Sequence, residues 1–197
     1  MIHIYGDSHA DFTFRNLNVP NKNIYNSGIT MYRIGRDNSI YNYNSEEIDE
    51  NSIIVLVYGE IDCRLHIQNQ INVNLKNEND LINELVHNYF LTIYNNIKIY
   101  NKIIIVGIIP TCNYIEFTRE HDPSYVLGTD EDRVRYTLKV NNLIESYCIK
   151  YNYIYFNPYN YYADIDGTLK NEFTAGVHLG KNDFFIEKFI ELYEKIK

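Results

Sequence analysis

Four short runs dense in β-branched and aromatic residues, at positions 2–5, 53–58, 103–109 and 153–156, constrain the fold more than any other feature of this chain. Each is too short for a helix that must bury a face and each ends at a turn-prone residue, so all four are predicted as strands buried on both sides. Helical patterns separate them. Leu81, Leu85, Tyr89, Ile93 and Ile97 recur at every fourth position, and Val134, Leu138, Leu143 and Tyr147 suggest a second apolar face. Thr129 and Asp132 have capping-box spacing before that second helix, with Asp where Glu or Gln is usual. Phe185, Ile186, Phe189, Ile190, Tyr193 and Ile196 predict a closing amphipathic helix. Strands alternating with helices imply a parallel sheet covered on both faces, and such sheets bind ligands beyond the carboxyl ends of their strands.

The length, 197 residues, fits one domain spanning 1–197, with no internal repeat or linker. A net charge of −8, with the eighteen Lys and Arg scattered, argues against a nucleic-acid surface. No apolar run approaches a membrane span, and no basic-flanked apolar leader opens the chain. The expectation is therefore a cytoplasmic protein without a membrane partner. Cys63, Cys112 and Cys148 are odd in number and far apart, so they are read as reduced packing residues, with no disulfide framework and no zinc site. No metal or other cofactor is expected.

The first predicted strand breaks into Gly6-Asp7-Ser8-His9, which presents a hydroxyl at the carboxyl edge of the sheet. A serine hydroxyl is a weak nucleophile until a base takes its proton, and histidine is the usual base. His178, in a loop between Gly176 and Gly180 just before the last helix, is poorly placed for core packing and is the candidate. Residues 111–128 form a connection too long for a plain link, read either as a loop over the site or as a surface loop without function.

"YGDSH" at 5–9, "NSGITM" at 26–31, "YGEID" at 58–62 and "GVHLG" at 176–180 resemble the four ordered blocks of the SGNH (GDSL-type) hydrolase family. The resemblance spans nearly the whole chain. It implies an α/β protein of the flavodoxin-like three-layer α/β/α kind, with a parallel sheet of about five strands. It also implies metal-independent cleavage of acyl esters, often acetyl groups on carbohydrates, so the expected partner is a small ester or an acylated carbohydrate. Ser8 would be the nucleophile, His178 the base, and the N–H groups of Ser8 and Gly28 donors to the oxyanion.

Two positions depart from the family pattern. Ile61 stands where an Asn usually adds an oxyanion donor, and losing one such donor can cost roughly 3 kcal/mol of transition-state stabilisation. Glu60, Arg64 and His66 are candidates to rebuild that wall, and Asp62, Glu60 and Arg64 are candidates to bind substrate. The structural alternative is an Asp62–Arg64 ion pair. Ala175 stands where an Asp usually orients the histidine, and Asp166 is favoured for that role over Asp164 or a backbone carbonyl. Two other functions fit these departures: an O-acyltransferase acting on a sugar, and a non-catalytic carbohydrate-binding relative. "DIDGTL" at 164–169 matches the nucleophile motif of haloacid-dehalogenase-like phosphatases, but it lacks the preceding strand and the later motifs and is read as a turn.

Overall fold

The computed structural model describes residues 1–98 and 101–197. Its sheet has five parallel strands, β1 (Ile2–Gly6), β2 (Asn21–Tyr25), β3 (Ile53–Val57), β4 (Lys102–Val106) and β5 (Ile154–Phe156), in the order β2-β1-β3-β4-β5. Gly6 pairs with Tyr25 on one side and Val57 on the other, so the ends of three strands lie level. The chain reverses its order of strand addition at β1, and a crevice opens there at the carboxyl edge.

The two faces are covered by different helices. α1 (Ser8–Phe14) and α8 (Asp183–Ile196) pack on one face, where Phe14, Phe185 and Phe189 meet Ile4, Val55 and Ile104. On the other face lie α2 (Met31–Asp37), α3 (Ile67–Asn74), α4 (Glu78–Asn96) and α6 (Asp130–Tyr151), where Tyr89, Phe90 and Val140 meet Tyr5, Leu56 and Ile105. This is the three-layer α/β/α, flavodoxin-like arrangement. Three short elements complete the carboxyl edge: α5 (Tyr114–Thr118), α7 (Tyr159–Tyr162), and a hairpin of β6 (Thr174–Ala175) with β7 (His178–Leu179). Among the described residues, no helix is long and apolar enough to cross a membrane.

The structure refines several sequence expectations. β2 is an edge strand with little apolar pattern, which is why only the other four strands stand out in the sequence. The run 103–109 stops pairing at Val106, because Asn141 takes both backbone groups of Ile108: its Oδ1 accepts from the N–H at 2.8 Å and its Nδ2 donates to the carbonyl at 2.9 Å. The α4 face is as expected, with Leu81, Leu85, Tyr89 and Ile93 buried. The α6 face is rotated from the expected one. It buries Tyr136, Val140, Ile144 and Cys148, while Leu138 is exposed. The capping box at Thr129 and Asp132 is present, with Asp132 closing it as Glu would.

Gly6 lets α1 begin almost on top of the sheet. A Cβ there would lie 2.5 Å from the Ala10 Cβ and 2.7 Å from the Val57 carbonyl oxygen. Gly6→Ala is therefore expected to destabilise the protein by about 1–3 kcal/mol through overpacking, read as a lower urea midpoint with little change in slope.

Candidate active site

Asp7 ends the first strand and caps α1, its Oδ1 accepting from the His9 N–H at 2.8 Å. The cap places Ser8 on the first turn of the helix, half-buried at the sheet edge. Across the crevice, the β6–β7 hairpin turns at Gly176, which takes φ +66°, and returns His178 toward the serine. His178 Nε2 lies 2.8 Å from Ser8 Oγ. The expected loop at His178 is thus a two-residue strand, and its pairing with Ala175 fixes the histidine's backbone.

The other side of the imidazole is held by backbone. The ring is hydrogen-bonded to the main chain of Ala175, and with Nε2 committed to Ser8 this leaves Nδ1–H to donate to the carbonyl. Asp166 does not fill this role. It is exposed in its turn, where Oδ1 accepts from the Thr168 N–H at 2.9 Å and from the Thr168 hydroxyl at 2.7 Å. Asp164 lies in the same turn, accepting from the Ile165 N–H at 2.7 Å. The "DIDGTL" segment is accordingly a closed turn, and no cluster suited to a metal ion exists among the described residues.

Two aromatic side chains pack against the His178 ring. Phe12 stacks on it with centroids 4.1 Å apart and planes 9° from parallel, and His9 leans against it at 4.6 Å and 41°. Burial, then the neighbouring His9 charge, push the His178 pKa down to about 4, with Glu60 and the Ala175 carbonyl acting in the opposite sense. At neutral pH the ring is uncharged and can accept a proton.

The remaining sequence candidates fall into two groups. Gly28 reaches the cleft on the segment before α2 with φ +79°, and a Cβ there would meet nothing within 4 Å, so this glycine serves backbone conformation alone. Arg64 also lines the cleft. Asp62 and Glu60 were expected to touch substrate, and the structure buries both instead. Asp62 Oδ2 accepts from Met31 N–H at 2.6 Å and Oδ1 from Tyr32 N–H at 3.1 Å, capping α2 from outside its own chain segment. Burial raises the Asp62 pKa to about 7 against the pull of these two bonds. Glu60 contacts His9 Nε2 at 2.8 Å and accepts from Arg64 Nε at 2.8 Å, so Arg64 pairs with Glu60 and not with Asp62. His66 stacks on Tyr32 at 4.2 Å and is not among the residues lining the cleft.

The cleft between these groups has a volume of about 530 Å³. Ile61 and Leu65, on either side of the start of a π-helical turn (Asp62–His66), form one wall, and Ala175 to His178 form another. The roof is formed by the segment 111–128 through Phe117, His121, Asp122 and Tyr125, the first of the two readings that its length left open. Arg64 holds this roof by donating through Nη1 to the Tyr125 carbonyl and by accepting at its own carbonyl from the Leu127 N–H at 3.0 Å.

Neither a scan of protein-family models nor a search of curated proteins finds a match to the sequence. Solved structures do match over nearly the whole chain. One is a GDSL-like lipase from Bacteroides thetaiotaomicron, 16% identical over 99% of this chain and 86% of that one, with a TM-score of 0.58. Another is the esterase EstA from Pseudoalteromonas sp., 13% identical over 98% and 96%, with a TM-score of 0.59. A third is an acetyl xylan esterase, 14% identical over 98% and 99%, with a TM-score of 0.56. The fold is that of the SGNH hydrolases. Within that fold, Ser8, Gly28 and His178 gather at one cleft as the sequence blocks imply, the group beside the imidazole is a backbone carbonyl, the alternative to Asp166 that the sequence left open, and His9 and Phe12 join the site without having been singled out. The available signal was slight: His9 and Phe12 fall one and four positions after Ser8, and a main-chain acceptor has no residue signature.

Asp62→Ala should cost roughly 1–3 kcal/mol, because two buried N–H groups at the start of α2 lose their acceptor. Chemical denaturation of the variant beside wild type measures it, and hydrogen exchange at Met31 and Tyr32 should accelerate.

Proposed function

We propose that the chain is a serine ester hydrolase of the SGNH type, working through an acyl-enzyme on Ser8. The observation that carries this reading is the 2.8 Å contact between Ser8 Oγ and His178 Nε2 at the floor of an open cleft. Neutral Nε2 takes the hydroxyl proton as Oγ bonds to the ester carbonyl carbon, and the carbonyl oxygen becomes the oxyanion. The N–H groups of Ser8 and Gly28 donate to that oxygen. Collapse of the intermediate releases the alcohol, which receives the proton from His178. Water then repeats the sequence on the acyl-enzyme and frees the acid.

Two features support a modest rate. Ile61 lines the cleft where the family's Asn would donate, and an apolar side chain gives the oxyanion nothing. A carbonyl on Nδ1 fixes the tautomer but carries no full charge to stabilise the imidazolium. The finer reading of the substrate is an acetyl group on a carbohydrate. It is supported by likeness to an acetyl xylan esterase and by His121, Asp122 and Tyr125 at the cleft, which offer polar and aromatic groups to a sugar.

Labelling with a fluorophosphonate, followed by mass mapping, tests the nucleophile. EstA of the same fold has been seen inhibited by monoethylphosphonate, which makes this probe class apt. Modification at Ser8, absent in Ser8→Ala and slowed at least a hundredfold in His178→Ala, is the expected result. An unlabelled wild-type protein, or equal acetyl-ester turnover by wild type and Ser8→Ala, refutes the reading.

The pH dependence has a definite sign. Because His178 titrates at about 4 in the folded chain, kcat/KM should rise as pH climbs through about 4 and stay level through neutrality. The unfolded chain binds this proton at the ordinary value of 6.5, so His178 also removes stability as pH falls from 6.5 toward about 4. Urea midpoints across that interval should fall less in His178→Ala than in wild type.

A further inference from the structure

Three ionisable side chains, His9, Glu60 and Arg64, are each no more than 5% exposed and stand in a row behind His178. Burying such a row is costly, and apolar side chains of similar volume would often hold a fold as well or better. Its placement is specific. Glu60 uses both carboxylate oxygens, Oε1 on Arg64 Nε and Oε2 on His9 Nε2, each at 2.8 Å. His9 in turn packs its ring against that of His178, tilted by 41° with centroids 4.6 Å apart, while Phe12 stacks on His178 at 4.1 Å. The His9 backbone is fixed as well, through the N–H given to Asp7 Oδ1.

We propose that His9, anchored by Glu60, is the positioning residue that compensates for the acid missing at Ala175. With the usual carboxylate absent, the Ala175 carbonyl sets the ring's tautomer, and contact with His9 and Phe12 together sets its plane, so that Nε2 stays aimed at Ser8. The charges on His9 come from every side that packs on it: Asp7 precedes it, Glu60 follows β3, Arg64 lies one turn beyond Glu60, and His178 faces it from β7. Arg15 lies over the Phe12 ring at 4.4 Å from its centroid. Burial opposes a charge on His9, but the Glu60 carboxylate, followed by Asp7, raises its pKa above the ordinary value. A proton on the pair is thus favoured on His9 over His178, and charge on His9 in turn lowers the pKa of His178.

The kinetic part rests on the esterase reading, whereas the titration part does not. The imidazole of His178 is followed by NMR against pH in wild type, in His9→Phe, which keeps an aromatic ring but not the charge, and in His9→Gln, which keeps a polar partner for Glu60 but no ring. Removal of the neighbouring cation should raise the His178 titration point by about one pH unit or more in either variant that folds. The acid limb of kcat/KM on an acetyl ester should move by the same amount. His9→Gln, without the ring, should also lower kcat by about tenfold or more with KM nearly unchanged, and His9→Phe should lose less. A His178 titration point identical to wild type overturns the proposal, whatever happens to activity. So does a kcat for His9→Gln within twofold of wild type. If wild type neither labels at Ser8 nor cleaves esters while the titration still shifts, the esterase reading fails and the coupling of His9 to His178 stands.

Discussion

Parallel pairing of β1 with both β2 and β3 is the constraint on which the rest of the site depends. The register that sets Gly6 beside Tyr25 and Val57 brings three strand ends to one level. The segments leaving those ends carry Ser8, Gly28 and Ile61. A slip of one residue would turn the side chains of a strand to the wrong faces, which the fully buried β1 and β3 forbid. The hydrophobic cores thus determine where the polar site can form.

Asp62 ties this framework together from below the cleft. It belongs to the segment after β3 but caps the helix after β2, so two of the converging segments share one carboxylate. A residue that looks in sequence like a substrate ligand is here part of the support. Glu60 behaves alike, its charge spent on His9 and Arg64. What faces the cleft is Ser8 in contact with His178, backed by a polar layer that solvent does not reach.

The parts of this arrangement that sequence made legible are those with a local pattern. Apolar runs at 2–5 and 53–58 announce strands because both of their faces are buried, and the order of the four blocks locates Ser8, Gly28 and His178. β2 was silent because an edge strand with half-exposed Asn and Lys shows neither alternation nor a continuous apolar run. The rotated face of α6 was missed because its buried stripe includes Arg133, Thr137 and Asn141, whose polar groups are satisfied inside the fold. Asp166 drew attention as an acid close in sequence to His178, yet its oxygen closes a turn that only the Thr168 contacts reveal. Long-range pairs such as His9–Glu60 carry no spacing signal at all.

The roof of the cleft is fastened at both ends and exposed between them. Arg64 binds its later part near Tyr125 and Leu127, and Arg133, fully buried, holds Thr111, Cys112 and Gly128 together. Phe117 and Val126 pack with Cys112 in a small core of their own, while residues 119–125 are exposed. Anchors of this kind separate two demands: the exposed stretch, which includes His121 and Asp122, can change its side chains without disturbing the fold, and the guanidinium-bound ends keep it over Ser8. Exchange of a few rim residues would therefore change the surface that the cleft presents at little cost to the fold beneath it.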